Sequence, residues 1–131
     1  MHWEIRPDRP VYLQLVEQME LAVATGEWAP GARIAPVREL AVQAGVNPNT
    51  MQRALQTLEQ RGLVAAQRTA GRTVTADAHS VRLLRAQLAQ TRAREFCRAL
   101  AQLGLSAADA RGLVELCETE GIFDGTSGSG L

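Results

Sequence analysis

The sequence contains no lysine, two cysteines and two histidines, and no apolar run that approaches the roughly 18 residues of a membrane span. Residues 1–6 also lack the apolar region of a secretory signal peptide, so the sequence predicts a cytoplasmic protein. Cys97 and Cys117 are not spaced like metal ligands, and a cytoplasm would keep both thiols reduced. His2 and His79 have no ligand-spaced Asp, Glu or Cys beside them. We therefore expect no metal site and no cofactor.

The sequence also lacks the arrangements that catalysis requires. It contains no nucleophile placed near a base, no glycine-rich phosphate loop and no set of metal ligands. We therefore do not expect an enzyme, and look for a binding function.

Acidic and basic residues balance to a net charge of zero, which by itself argues against a nucleic-acid partner. The distribution of charge is more informative, because residues 33–72 contain six Arg and two Glu, a formal charge of +4. Residues 106–131 contain five acidic residues and one Arg, a formal charge of −4. A basic first half and an acidic end fit a DNA-binding head with a separate function behind it. The exclusive use of arginine suits phosphate and guanine contacts, but genome composition explains it equally well.

Residues 37–44 have the periodicity of a short amphipathic helix. Val37, Leu40, Ala41 and Ala44 recur at i, i+3, i+4 and i+7 and share one face. Gly45 can adopt the left-handed conformation that ends a helix and turns the chain. A second helix is predicted directly after this turn.

That second helix starts at Asn47, which can cap its free amides. Met51, Leu55 and Leu58 fall on one side and form a core stripe. The opposite side and its flanks are polar, and their residues are Asn49, Thr50, Gln52, Arg53, Gln56 and Gln60. The first two turns of this side contain no carboxylate. Amide, hydroxyl and guanidinium groups can read base edges and bind phosphate oxygens in a major groove. The two helices predict a helix-turn-helix, although a merely solvated polar face is the alternative on periodicity alone.

The residues that follow favour the DNA-binding interpretation. Gly62-Leu63-Val64 ends the second helix, and residues 67–75 have the pattern of a β-hairpin with Arg68 and Arg72 beside its tip. A short strand at residues 32–34 is expected to pair with this hairpin. A helix-turn-helix followed by a basic hairpin is typical of a winged helix.

Residues from about Pro10 to Asp77 resemble the DNA-binding domain of the GntR family of bacterial transcription regulators. The matching motifs are Pro10-Val11-Tyr12-Leu13-Gln14-Leu15, Gly26-Glu27-Trp28-Ala29-Pro30-Gly31-Ala32-Arg33-Ile34, Pro36-Val37-Arg38-Glu39-Leu40-Ala41, Val46-Asn47-Pro48-Asn49-Thr50 and Leu58-Glu59-Gln60-Arg61-Gly62-Leu63-Val64. The resemblance implies DNA contacts from the helix-turn-helix and from the wing around Gly71. With the wing arginines, the predicted DNA-binding residues are Arg38, Asn47, Asn49, Thr50, Gln52, Arg53, Arg68, Gly71 and Arg72. The wing departs from the family pattern, since Thr69 stands where glycine is common and Arg72-Thr73 where Thr-Phe is common.

Residues 10–25 are predicted to form the first helix of this domain. Its buried stripe is Tyr12, Leu15, Val16, Met19, Ala22 and Val23. Glu17 and Glu20 are expected on its solvent side. Trp3 and Ile5 precede the domain, and the sequence allows them to pack either on the head or on a neighbouring subunit.

After Asp77 the sequence predicts two helices that cannot close a core alone. Residues 78–103 contain no Gly or Pro, Gly104 interrupts them, and Ser106 with Asp109 resembles a capping box that starts a final helix. The apolar positions predict a homodimer interface formed by Val81, Leu84, Leu88, Phe96, Leu100, Leu103, Leu113, Val114 and Cys117. The expected domains are a winged helix at 1–77, a helical dimerisation domain at 78–121 and a flexible tail at 122–131.

The predicted fold is thus mainly α with a small β-wing, an N-terminal winged helix-turn-helix followed by a C-terminal two-helix dimerisation hairpin. A GntR-like head followed by so short a helical part resembles the YtrA subfamily. This resemblance implies a homodimeric repressor that binds a pseudo-palindromic operator in double-stranded DNA, such as that of a transporter operon. A small-molecule effector is left open, and the alternative function is a winged helix that binds a protein instead of DNA.

Overall fold

The computed structural model describes residues 1–69 and 71–125, which contain five helices and one two-stranded sheet. The elements are α1 (Val11–Thr25), α2 (Val37–Ala44), α3 (Pro48–Gln60), β1 (Val64–Gln67), β2 (Gly71–Val74), α4 (Ala78–Gln102) and α5 (Ala107–Thr119). This arrangement confirms the mainly helical fold with a small wing. The chain divides into two compact units, Met1–Arg85 and Ala86–Leu131. The first unit contains the predicted head together with the first eight residues of α4.

The core of the first unit lies where α1 and α2 pack against α3. Leu15 and Met19 of α1 and Met51, Leu55 and Leu58 of α3 are fully buried. These residues recur every three or four positions, so each helix buries one continuous apolar stripe. The predicted stripe of α3 is confirmed, and burial of such side chains stabilises the unit by about 1.5–3 kcal/mol each.

The turn between α2 and α3 is built as its residues predict. Gly45 has a φ of 69° and ends α2 with a left-handed residue. The Asn47 side-chain oxygen accepts a hydrogen bond of 2.8 Å from the backbone N–H of Asn49, and Pro48 occupies the first position of α3. Two consecutive local signals therefore fix where α3 begins, and with it which side chains its first turn presents.

The wing is an antiparallel hairpin in which Val64 pairs with Val74 and Gln67 with Gly71. The predicted strand at residues 32–34 is reduced to one bridge between Arg33 and Thr73. This bridge still holds β2, because Ile34 N–H donates to Arg72 C=O and Val74 N–H donates to Ala32 C=O, both at 2.9 Å. Pro36 follows almost at once and has no N–H to donate, so the pairing cannot continue.

Glu20 corrects the prediction that the polar residues of α1 face solvent. Its carboxylate is nearly buried and accepts a hydrogen bond from the Arg61 guanidinium, just beyond α3. Burial raises the pKa of the Glu20 carboxyl, and the charge of Arg61 opposes that rise. Glu17 does remain exposed, and Arg9 pairs with it. The sequence pattern missed the Glu20 pair because the two residues lie 41 positions apart.

The N-terminal arm, residues 1–9, is hydrogen-bonded to α1 of the head through its backbone, and Trp3 and Ile5 within it are half-buried. Gln14 Nε2 donates to the C=O of Arg6 at 2.7 Å, and its Oε1 accepts from the Arg6 N–H at 2.7 Å. Gln18, one turn further along α1, makes the same two-way contact with the backbone of Glu4, at 2.6 and 3.0 Å. Two glutamines at i and i+4 thus bind alternate peptide groups of the arm.

Gln14→Ala is expected to lower the free energy of unfolding by about 1–3 kcal/mol. Gln14 is buried and also donates to the C=O of Arg9, so the Arg6 N–H, the Arg6 C=O and the Arg9 C=O would all lose their partner. Gln18→Ala is the matched control, and because Gln18 is only half-buried and its hydrogen bonds are exposed, we expect a loss below about 1 kcal/mol. Urea denaturation measures both values. Equal losses in the two variants would contradict the assigned role of Gln14.

The end of α4 and the whole of α5 form the second unit. Gly104, with a φ of 79°, lies between the two helices. The Ser106 hydroxyl accepts from Asp109 N–H while the Asp109 carboxylate accepts from Ser106, which confirms the capping box. These hydrogen bonds, first that from the Ser106 backbone N–H, lower the pKa of Asp109. Residues 121–125 form turns. Of the predicted flexible tail, residues 126–131 lie outside the described part of the chain.

Candidate nucleic-acid interface

The polar face of α3 is exposed, as the sequence predicts. Asn49, Arg53, Gln56 and Gln60 are exposed along it, and Thr50 and Gln52 are half-buried at its flanks. Asn47 is also exposed, although its side-chain oxygen is used by the helix cap. The carboxylate of α3, Glu59, is engaged by a wing arginine and lies near the far end of the helix. The first two turns therefore present donors and acceptors without a negative charge.

The Arg53 guanidinium stacks on the ring of Tyr12, with 3.6 Å between the Arg53 Cζ atom and the ring centroid. Tyr12 lies in the first turn of α1, and together with Val11, Asn49, Thr50 and Arg53 it lines an open depression beside the α3 face. The sequence pattern places Tyr12 in the buried stripe of α1 and does not pair it with Arg53. Because Tyr12 and Arg53 come together through the packing of α1 on α3, no local pattern could indicate this contact.

The predicted wing arginines differ in their surroundings. Arg68 is exposed in the loop between β1 and β2, and Gly71, which begins β2, has a φ of 69°. The Arg72 side chain is only 19% exposed, and its Nε donates to the Glu59 carboxylate. Arg72 therefore ties the wing to α3, while Arg68 keeps its donors for other acceptors.

Carboxylates divide the arginines of the first unit into two groups. Four arginines form ion pairs with carboxylates, and these pairs are Arg6–Asp8, Arg9–Glu17, Arg61–Glu20 and Arg72–Glu59. Within residues 1–69 and 71–125, the predicted contact residues Arg38, Arg53 and Arg68 form no ion pair. Positive charge is therefore left uncompensated on α2, α3 and the wing, and also at Arg33, Arg82 and Arg85.

The predicted dimer residues are mostly accessible, with one exception. Phe96, Leu103 and Val114 are exposed, by 40%, 74% and 44%. The half-buried members of the set are Val81, Leu88, Leu100, Leu113 and Cys117. Leu84 is only 5% exposed and lies in the first unit, so its side chain is already covered within the chain and cannot form the interface that was predicted for it.

No helix in the described part of the chain is long and apolar enough to cross a membrane. Among the same residues, no group of three or more His, Cys, Asp or Glu could hold a metal ion.

The fold and the exposed α3 face define a winged helix-turn-helix protein. Residues 11–74 match the model of the bacterial regulatory proteins of the gntR family. The chain is 32% identical over 103 residues to the uncharacterised HTH-type transcriptional regulator YhcF of Bacillus subtilis, covering 79% of this chain and 85% of that protein. It is 34% identical over 73 residues to the HTH-type transcriptional repressor YtrA of the same organism, covering 56% of each chain. The chain belongs to the GntR family, and its relatives are named as regulators of transcription, not as enzymes.

Solved structures agree with this assignment. A GntR family transcriptional regulator from Listeria monocytogenes superposes with a TM-score of 0.80 at 28% identity, over 85% of this chain and 97% of that chain. The DNA-binding domain of AraR, solved in complex with operator ORX1, superposes with a TM-score of 0.50 at 26% identity, over 57% of this chain and 99% of that domain. The chain is thus a GntR-family, DNA-binding regulator whose relatives include YtrA, which confirms the predicted resemblance.

Proposed function

We propose that this regulator is a homodimeric repressor that binds a pseudo-palindromic operator, such as that of a transporter operon, through the carboxylate-free face of α3. The observation that carries the proposal is the arrangement of charge. Within the described part of the chain, Arg38, Arg53 and Arg68 form no ion pair with a carboxylate, whereas Arg72 of the wing is paired with Glu59. DNA phosphates would supply the missing negative charge.

The proposed division of labour follows from side-chain chemistry. Arg38 on α2 and Arg68 on the wing bind phosphates and fix the register of the head on the duplex. Asn49, Gln52 and Arg53 on α3 read base edges in the major groove, because an amide can pair with adenine and a guanidinium with guanine. Arg72 is assigned a different role from the one that the sequence suggested, since its pair with Glu59 holds the wing against α3.

Relatives support the repressor role and the DNA target. YtrA of Bacillus subtilis is named a repressor, and the DNA-binding domain of AraR has been solved on its operator. For this chain, repression and operator binding are inferred from those similarities together with the surface described above. As a DNA-binding regulator it would act in the cytoplasm.

The homodimer is inferred from the apolar side chains of the second unit. Phe96 on α4, Leu103 directly after α4 and Val114 on α5 remain exposed, and no residue of α5 is buried. Exposed apolar side chains on a short helical unit favour association with a partner surface. A second copy supplies the same residues in a two-fold arrangement, and it would present two heads to two half-sites.

Selection of bound duplexes from a random DNA pool tests the proposed function. We expect enrichment of an inverted repeat whose two halves are separated by a fixed spacing. Enrichment of a single half-site would contradict the dimer, and enrichment of no sequence would contradict operator recognition.

Arg68→Ala is expected to weaken binding to selected and scrambled duplexes by a similar factor. It should also reduce the log–log salt slope of binding by about one unit per head, because one phosphate contact is lost. Thr69→Ala is the neutral control in the same loop. A salt slope near zero for the parent protein would favour the alternative, a winged helix that binds a protein partner.

A further inference from the structure

The contact between Tyr12 and Arg53 restrains an arginine of the reading face without using its hydrogen-bond donors. The Arg53 Cζ atom lies 3.6 Å from the centre of the Tyr12 ring, so the guanidinium lies against the face of the ring. An aromatic face attracts a cation through its quadrupole and leaves the N–H groups at the edge of the guanidinium unoccupied. A carboxylate at the same place would instead accept those N–H groups.

The other restrained arginines of the first unit illustrate the difference. Arg61 and Arg72 are each fixed by a glutamate, Glu20 and Glu59, which accepts from one guanidinium nitrogen of each arginine. Arg53 forms no such pair among the described residues, and the ring of Tyr12 is the restraint that the structure gives to its guanidinium. Arg53 is therefore held in place and yet able to donate to a ligand.

The two helices that carry this contact pack on each other through buried side chains. Tyr12 is half-buried, and three residues further along α1 is Leu15, which is fully buried together with Met51 of α3. The packing of α1 on α3 consequently fixes the distance between the Tyr12 ring and the backbone of Arg53. An arginine held before binding loses less rotamer freedom when it binds, which favours association.

We propose that Tyr12 is a positioning residue for DNA recognition, whose ring holds the Arg53 guanidinium in the orientation that the operator requires. This proposal rests on the proposed function, because it assigns Tyr12 a role only through Arg53. It differs from a direct contact, since the phenol hydroxyl of Tyr12 is not needed. Phenylalanine at this position should therefore preserve DNA binding, whereas an aliphatic residue should weaken it.

The test is a double-mutant cycle with Tyr12→Leu, Arg53→Ala and the combined variant, measured by titration of the best duplex recovered from the random pool. Tyr12→Leu is expected to weaken binding roughly threefold to tenfold in the parent background. In the Arg53→Ala background the same change should have almost no effect. Tyr12→Phe should bind within about twofold of the parent, since the phenylalanine ring also presents an aromatic face to the cation.

The stacking itself has a readout that does not involve DNA. In the free protein, the Arg53 side-chain proton resonances should be shifted upfield by the ring, in the parent and in Tyr12→Phe. The shift should be absent in Tyr12→Leu, and circular dichroism reports whether that variant is folded. If Tyr12→Leu unfolds, the comparison of Tyr12→Phe with the parent still decides, because a loss of binding in Tyr12→Phe would contradict the proposal.

Two outcomes separate this role from the function on which it depends. A parent protein that binds no duplex even at low salt would overturn the proposed function and the role of Tyr12 together. If the parent binds DNA and Tyr12→Leu lowers the affinity by the same factor with and without Arg53, only the role of Tyr12 would be overturned.

Discussion

Phe96→Asp is expected to convert the protein in solution from twice the chain mass of 14.2 kDa to the chain mass itself. Phe96 is 40% exposed on α4, and in the proposed dimer its ring would be covered by the second copy. Full burial of an exposed aromatic side chain contributes about 1.5–3 kcal/mol, of which Phe96 would gain the share of its exposed 40%, and a two-fold axis repeats each contact. An aspartate at this position would remove that contribution twice and would place two carboxylates in an apolar interface. Light scattering after size-exclusion chromatography measures the mass.

The same variant should lose most of its operator affinity although its reading face is unchanged. Two linked heads bind more tightly than one by an effective concentration that is worth roughly 10²–10⁴ in affinity. Leu21→Asp is the matched control, because Leu21 is exposed to a similar degree, 41%, on α1 in the first unit. A Phe96→Asp protein that keeps the dimer mass would contradict the assigned interface. A monomeric variant with parental operator affinity would show that pairing of the heads is not needed.

Arg53→Ala is expected to weaken binding to the selected operator by about 1–3 kcal/mol, which is roughly a factor of 5 to 150. Arg53 is exposed on α3, and its donors are unused within the described part of the chain apart from the contact of its face with Tyr12. If it reads a base, discrimination against changes at one operator position should fall as well.

Arg111→Ala is the control for Arg53→Ala, since it removes the same charge from an exposed position on α5. We expect this control to bind like the parent. Gel-shift titrations of both variants on operator and scrambled duplexes provide the comparison. Equal affinities of Arg53→Ala and the parent on the operator would mean that the reading face has been assigned to the wrong side of α3.

The sequence was sufficient wherever a short segment determines its own structure. Gly45 ends α2, Asn47 caps α3, and Ser106 with Asp109 caps α5, and each feature depends on residues at most four positions apart. The apolar stripe of α3 was predictable for the same reason. The wing was predictable from its glycines and arginines, although the strand at residues 32–34 became a single bridge.

Contacts between distant residues could not be predicted from local patterns. Burial of Glu20 depends on Arg61, and the orientation of Arg53 depends on Tyr12, 41 residues away in each case. An exposed charge and a charge paired across the core have the same appearance in a helical pattern. Leu84 illustrates this limit for apolar residues, because the pattern predicts that its side chain is buried but not which surface buries it.

The proposed function depends most on the α3 face without carboxylates lying against DNA. The most direct test is to titrate the isotope-labelled protein with the selected duplex and follow its backbone amide chemical shifts. We expect the largest chemical-shift changes in residues 47–53, with further changes at Arg38 and at Arg68 and Gly71 of the wing. Residues 107–119 of α5 should change least. Unchanged resonances across residues 47–53, with the largest shifts on another surface, would contradict the proposed function.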